Sequence, residues 1–303
     1  MRWYQVKEQA AGIKRLMLMY HIYCIAGKKA VKFITFFVTF FAFIFAPQIR
    51  YYSKKYLHQV GVKPTLKNQF LHFLSYANIL IDNMETFINK FNPANITFAD
   101  EDTKNNFFNI VREKKGGFLI SSHLGNIHVL RSFLSAEYNK YNVHVNIFLS
   151  ETQCKIFNEF IRRIMLPQND VTTYPVEQIT IGTPIEIKEK IDRGELVFIA
   201  GDRVSETGST VFGTEFLGRR VEFPLGTFTF AKLMDCPVFF IVLVKTDGDK
   251  YTVYLEKAPE NQNEMQSAYV KFLEKLTRRY PLQFYHFYDI FVDGKTGDED
   301  ELH

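Results

Sequence analysis

Two spacings of apolar residues run along this chain, and where one gives way to the other the elements change. Residues 66–90 (LKNQFLHFLSYANILIDNMETFINK) carry Phe70, Phe73, Leu74, Ala77, Ile81 and Met84 at helical spacing, which predicts one amphipathic helix. A polar loop is expected near residues 93–105. Beyond it, short apolar runs at 118–121, 143–149, 196–200 and 238–244, and an alternating run at 251–256, read as strands. Helical stretches are predicted between them at 127–138, 152–165, 184–193, 226–234 and 262–280. The alternation argues for an α/β layered domain with a largely parallel central sheet flanked by helices. No internal repeat interrupts it, and the polar tail after Asp293 is expected to fray.

The N-terminal part has a different pattern. Residues 33–46 read FITFFVTFFAFIFA, without a charge. As a helix this run would span about 21 Å, short of a hydrocarbon core of roughly 30 Å. Lys28, Lys29 and Lys32 could lengthen it by snorkelling to headgroups. Thr35, Thr39 and Ala42 form a narrow face of smaller residues, while Phe33, Phe37, Phe40, Phe41 and Ile44 fall on another. A second apolar stretch covers 16–23. Pro47 should end the helix, and Arg50, Tyr51, Tyr52, Lys54 and Lys55 look like an interfacial belt. The expectation is an N-terminal membrane-associated helical segment, either shallow or barely spanning. The competing reading is a buried helix in an aromatic-rich core.

Composition sharpens this division. At 303 residues, 47% hydrophobic and 23% charged, the chain suits one large domain with an appendage and excludes a disordered protein. Its 31 Phe and 16 Tyr suggest contact with something apolar. The net charge of +4 conceals an asymmetry: residues 1–63 hold eleven Lys and Arg against Glu8 alone (+10), leaving 26 bases and 32 acids (−6) for the rest. Cationic segments bind nucleic acid or anionic lipid. An uncharged Phe run argues against nucleic acid, and its depth in the chain argues against a signal peptide. The expected organisation is a basic segment at 1–63, the α/β domain at 64–292 and an acidic tail at 293–303. Cys24, Cys154 and Cys236 are widely separated, so neither a disulfide framework nor a zinc site is expected.

In layered α/β folds, ligands bind beyond the carboxyl ends of the strands. Two polar clusters fall at such places: Ser121-Ser122-His123-Leu124-Gly125-Asn126-Ile127-His128 after one strand, and Gly201-Asp202-Arg203 after another. A neutral His123 leaving a strand into a glycine-containing turn is placed to act as a general base. His128, at the start of the next helix, would be held neutral by the helix dipole, and N–H groups around residues 124–127 could bind an oxyanion. The plainer alternative is a pair of histidines that cap and pack. No metal is expected: His123 and His128 lack a third ligand at useful spacing, with His286 and His144 candidates only by elimination.

These residues carry a resemblance. SSHLGNIHVLR resembles the SHLGN-x-E segment of the late lipid A acyltransferases and related predicted bacterial acyltransferases, within the lysophospholipid acyltransferase superfamily. Three further stretches are similar in the same order: LVFIAGDRV at 196–204, EFLGRRVEFPLGTFTFAKLMDCPVFFIVLV at 215–244, and RRYPLQFYHFYDIF at 278–291, which resembles a C-terminal YP-x-Q-W-x-NFYDFW signature. Trp3, the apolar segment and the YYSKKYL run fit as well, so the resemblance covers nearly the whole chain.

The resemblance implies transfer of a fatty acyl group from an acyl carrier protein or CoA thioester to a hydroxyl or amine of a lipid, without metal or cofactor. It implies a location at the cytoplasmic face of the inner membrane, peripheral or single-pass. In the family's H-x4-D/E motif the histidine deprotonates the acceptor and the carboxylate supports it. Carried over, His123 is the base, Gly125 and Asn126 shape the turn that binds substrate, and Asp202 and Arg203 hold the acceptor's polar group. The chain departs from the family at the carboxylate, where His128 stands as the second candidate catalytic residue: neutral, it could still accept a hydrogen bond from His123 and fix its tautomer, with Asp202 the candidate to supply the missing charge. It departs again in the signature, where His286 replaces Asn and Phe284 and Phe291 replace Trp. A hydrophobic acyl tunnel is expected beside His123. The rival reading, motivated by His128, is a catalytically weakened lipid-binding or complex-forming protein on the same fold. Residues 224–227 read as a helix-entry turn, Cys236-Pro237 as a helix-to-strand turn, and Arg219-Arg220 either as phosphate contacts or as a solvated loop.

Overall fold

A computed structural model describes residues 12–129, 143–150, 155–165, 171–204 and 210–292. Its centre is a seven-stranded sheet in the order β1-β9-β8-β2-β5-β3-β4. The strands are β1 (Ile96–Phe98), β2 (Gly117–Ser121), β3 (Val145–Leu149), β4 (Val171–Pro175), β5 (Leu196–Ala200), β8 (Val238–Asp247) and β9 (Lys250–Lys257). All neighbours run parallel except β8 and β9, which form an antiparallel hairpin. A separate hairpin pairs β6 (Val211–Phe216) with β7 (Arg219–Pro224). The largely parallel α/β layered architecture is therefore as the alternation of apolar runs implies.

Strand period divides the core. Phe118 and Ile120 of β2 face one side, where α6 (Thr183–Asp192), α7 (Leu225–Leu233) and α8 (Gln262–Arg279) pack with Ile187, Phe228 and Leu273. Leu119 faces the other, against Phe107, Phe108 and Val111 of α4 (Glu101–Arg112). A third cluster joins α1 (Ile13–Phe45), α3 (Leu66–Phe87) and α5 (Lys155–Ile164).

Several elements differ from the expectation. Helix α4 begins inside the stretch expected to be a loop, because Asp100 caps it by accepting the Thr103 N–H at 2.7 Å and its apolar residues come only in its second half. Strands β1 and β4 and the β6–β7 hairpin are additional. Of the helix expected at 127–138 only residues 127–129 are described, and they are helical; of that expected at 152–165, Lys155–Ile164 is helical. Residues 152–154, including Cys154, Trp3 and the tail after Asp293 lie outside the described residues. Pro224 caps α7 and Cys236 lies in the turn before β8, as expected for both; burial pushes the Cys236 thiol up to about 12.

At the N-terminus, α1 is broken at Gly27, which takes φ +74°, and it stops at Phe45, before Pro47 opens α2 (Pro47–Gln59). The small face turns inward: Thr35 and Thr39 are buried, although Ala42 is exposed. Phe33, Phe37, Phe40, Phe41, Ile44 and Phe45 point outward. Lys28 is drawn inward to Asp82 (3.0 Å), Glu85 (2.5 Å) and Asp249 (3.1 Å), while Lys245 and the Tyr251 hydroxyl also reach Asp82, at 2.5 and 2.6 Å. Tyr56 and Leu57 of α2, and Val60 just after it, enter the main core, so packing crosses the charge boundary near residue 63. Among the described residues no single helix is long and apolar enough to cross a membrane; α1 and α2 meet that test only together, bent by 94°.

Candidate active site

Strands β2 and β5 are adjacent and parallel, with Ser121 opposite Ala200. Two residues beyond each lie His123 and Asp202. The register thus joins two polar clusters 79 residues apart. Gly201 makes the exit from β5 possible: a Cβ there would sit 2.8 Å from Ile120 Cγ2, while its N–H and the Tyr269 hydroxyl both donate to the Ser121 carbonyl. Gly125 lets the other loop fold across β8. It takes φ +75°, and a Cβ would lie 1.9 Å from the Leu243 oxygen.

The Asp202 carboxylate, with no exposed surface, is the hub. Its Oδ1 lies 2.8 Å from His123 Nδ1, and its Oδ2 accepts the His123 backbone N–H at 2.8 Å. The same Oδ2 is 3.1 Å from Nε2 of His286, whose Nδ1 meets the Tyr288 hydroxyl. Burial alone would raise the Asp202 carboxyl, but His123, by charge and hydrogen bond, and His286 hold it well below the usual range. Burial and then the Arg203 charge push His123 below its ordinary value despite Asp202, so its ring is neutral near pH 7. With Nδ1–H donated to Asp202, the free lone pair is on Nε2. The ring is part-exposed, 37% of its side-chain surface remaining open. That is the condition a general base requires.

The other expected site residues have separate roles. Asp202 takes the carboxylate part beside His123, whereas the ring contact of His128 is with Phe87, at 5.7 Å. Gly125 and Asn126 are buried turn residues: their N–H groups donate to Gln283 O and Leu243 O, and the Asn126 side chain reaches Ile79 O at 3.4 Å. Leu124 N–H is likewise taken, by Ser122 Oγ. The expected oxyanion donors at 124–126 are therefore already committed to the fold. Arg203 donates to the Tyr285 carbonyl and lies 5.7 Å over the Tyr288 ring. His144 is elsewhere, bonded to Thr172. Arg219 and Arg220 open strand β7, and the Arg219 guanidinium lies 4.7 Å over the Phe291 ring.

His286 is the residue that sequence reasoning undervalued; its one signal was a histidine standing where the resembling signature has Asn. His123, Asp202 and His286 bring three potential metal donors within 4.8 Å of one another, but Asp202's oxygens are already occupied by hydrogen bonds from both rings and a backbone N–H. A small cavity lies between Tyr52, Lys55 and Tyr56 of α2 and His286, Tyr288 and Phe291; it reaches the His286 side of the site rather than His123. The fold and site define an α/β protein with a His–Asp–His cluster at the carboxyl edge of a mostly parallel sheet. No family model matches the chain, and no curated protein matches its sequence.

Proposed function

We propose that this protein is a membrane-associated acyltransferase. It moves a fatty acyl group from an acyl carrier protein or CoA thioester to a hydroxyl or amine of a lipid acceptor, at the cytoplasmic face of the inner membrane. The observation that carries the reading is the pairing of a part-exposed, neutral His123 with the buried Asp202 carboxylate at 2.8 Å. Its further support is the ordered resemblance to the acyltransferase motifs. The outward Phe face of α1, flanked by basic residues, supports a membrane partner.

In this mechanism His123 Nε2 takes the proton of the acceptor O–H or N–H as that atom attacks the thioester carbonyl carbon. Asp202 balances the imidazolium so formed. The tetrahedral intermediate collapses by breaking the C–S bond, and the imidazolium returns the proton to the departing thiolate.

Purified protein supplied with labelled acyl donors and a lipid extract tests this. Turnover that falls by about three to four orders of magnitude in Asp202→Asn, and to background in His123→Ala, is the expected result. His128→Glu should keep activity within about threefold of the parent, a change under ~1 kcal/mol. Absence of turnover with every donor, from folded protein that still binds lipid, overturns the reading in favour of a lipid-binding protein. Mass spectrometry of envelope lipids from a deletion strain would identify acceptor and chain length together.

A further inference from the structure

The proposed reaction employs one imidazole on Asp202 and leaves the other without a task. His286 is 1% exposed, and its Nε2 addresses Asp202 Oδ2 at 3.1 Å. Chemistry fixes every proton in the chain. An ionised Asp202 only accepts, so Nε2 of His286 must carry hydrogen. Burial pushes His286 down to about 3, so the ring is neutral and its Nδ1 is a lone pair. Tyr288 must then donate its O–H to that nitrogen. The result is a set of bonds that converge on the carboxylate: Tyr288 donates to His286, and His286 and His123 each donate to Asp202.

We infer that His286 is a positioning residue: locked by Tyr288 in the tautomer that donates to Asp202 Oδ2, it holds the carboxylate with Oδ1 aimed at His123 Nδ1, leaving Nε2 of His123 as the basic atom. The ring is itself firmly held. Its neighbour Phe284 pairs with Leu124 beside the His123 turn, and the Phe284 carbonyl accepts from His72 Nε2 at 3.1 Å. Among the described residues, the other ionisable groups near these bonds are Arg203, over the Tyr288 ring, Tyr269, whose hydroxyl donates to Ser121 O, and Tyr52, Tyr56 and the Lys55–Asp289 ion pair around the cavity beside His286 and Tyr288. The donors to the Asp202 oxygens are His123 and His286.

The kinetic part of the test rests on the acyl-transfer reading, but the titration part does not. The His123 ring is titrated by NMR in the parent and in His286→Gln, His286→Met and Tyr288→Phe. A carboxylate that loses a donor becomes more basic and holds the His123 imidazolium more strongly. His286→Met should therefore raise the His123 titration by about one pH unit, and Tyr288→Phe by less in the same direction. His286→Gln, whose amide can donate from the place of Nε2, should restore it to within about 0.3 unit. If acyl transfer is the activity, the acid limb of its pH profile should shift by the same amounts. In His286→Met, kcat should fall roughly tenfold while KM holds. An unchanged His123 titration in Tyr288→Phe, which preserves the packed volume, overturns the inference even if His286→Met fails to fold. Shifted titrations without any acyl transfer would instead retain His286 and remove the proposed reaction.

Discussion

Phenylalanine is used in opposite ways in the sheet and in α1. In the sheet, Phe118 and Phe240 have no exposed surface. In α1, Phe33, Phe41 and Phe45 are 66%, 57% and 79% exposed, while Thr35, Thr39 and the ion-paired Lys28 face the protein. The body closes by removing apolar area from water; α1 docks through Val31, Phe43 and the Lys28 ion pairs together, and turns the rest of its Phe row outward. Ion pairs taken out of water add little net stability over apolar packing, but removing one member leaves its partners stranded. The outward Phe row is, by the same logic, a face that calls for a non-aqueous neighbour.

The strongest way to break this contrast is at Asp82. Asp82→Ala leaves Lys28 and Lys245 facing a buried gap and should cost about 3–5 kcal/mol in urea unfolding. Phe118→Ala should cost a similar ~3–5 kcal/mol by a different route, a cavity in the sheet core. A cost under about 1 kcal/mol for Asp82→Ala would mean that the cluster is hydrated and that α1 is not held from within.

Acid should separate the two regions next. Burial lowers His286 to about 3 and His72 to about 4, so an unfolded chain takes up these protons before the folded one does. Stability should then fall as pH drops below about 6.5, by about 2 kcal/mol for each ring by pH 5, with the loss continuing down to the two folded values. His72→Leu should make the slope shallower. The α1 junction behaves otherwise. Burial opposes ionisation of Asp249, but Lys32 and Lys28 outweigh it and lower the carboxyl to about 2. Its contribution is complete above about 3.9 and is lost only as pH falls through about 2. Hydrogen exchange at pH 5 should accordingly find the segment around His286 opening before the α1–α3 contact.

The smallest effect belongs to the Phe row. Phe41→Ser should change stability in water by no more than about 0.5 kcal/mol, since that ring is already exposed. The same substitution should weaken partition onto anionic vesicles by about tenfold or more, the value of one buried aromatic ring. Equal vesicle binding by both proteins would show that the outward face has some other neighbour.

Much of the body was legible because parallel strands buried on both faces are continuous apolar runs, as GFLIS and LVFIA are. Helix α4 was not, since EDTKNN gives it a polar first half and its cap is a single Asp. The three-residue β1 and the threonine-rich β4 are too short or too polar to register. For the site, His123 and Asp202 were each legible as polar residues leaving a strand. Their contact was not: it depends on β5 lying next to β2, which no local pattern encodes. His286 was harder still, because its partner lies 84 residues away across a loop, and a buried ring there looks the same in sequence as a packed one.

The segment that carries His286 is stitched to Leu124, Gly125, Val221 and, through Pro281 and Asp289, to Tyr56 and Lys55 of α2. It follows all of these partners in the chain, so a ribosome releases it after them. During synthesis, therefore, α1 and α2 emerge and must wait, greasy side outermost, until residues 281–291 have been made. A nascent chain that stalls short of residue 284 would carry α1 and its Phe row but lack the ring that closes the His123–Asp202–His286 cluster.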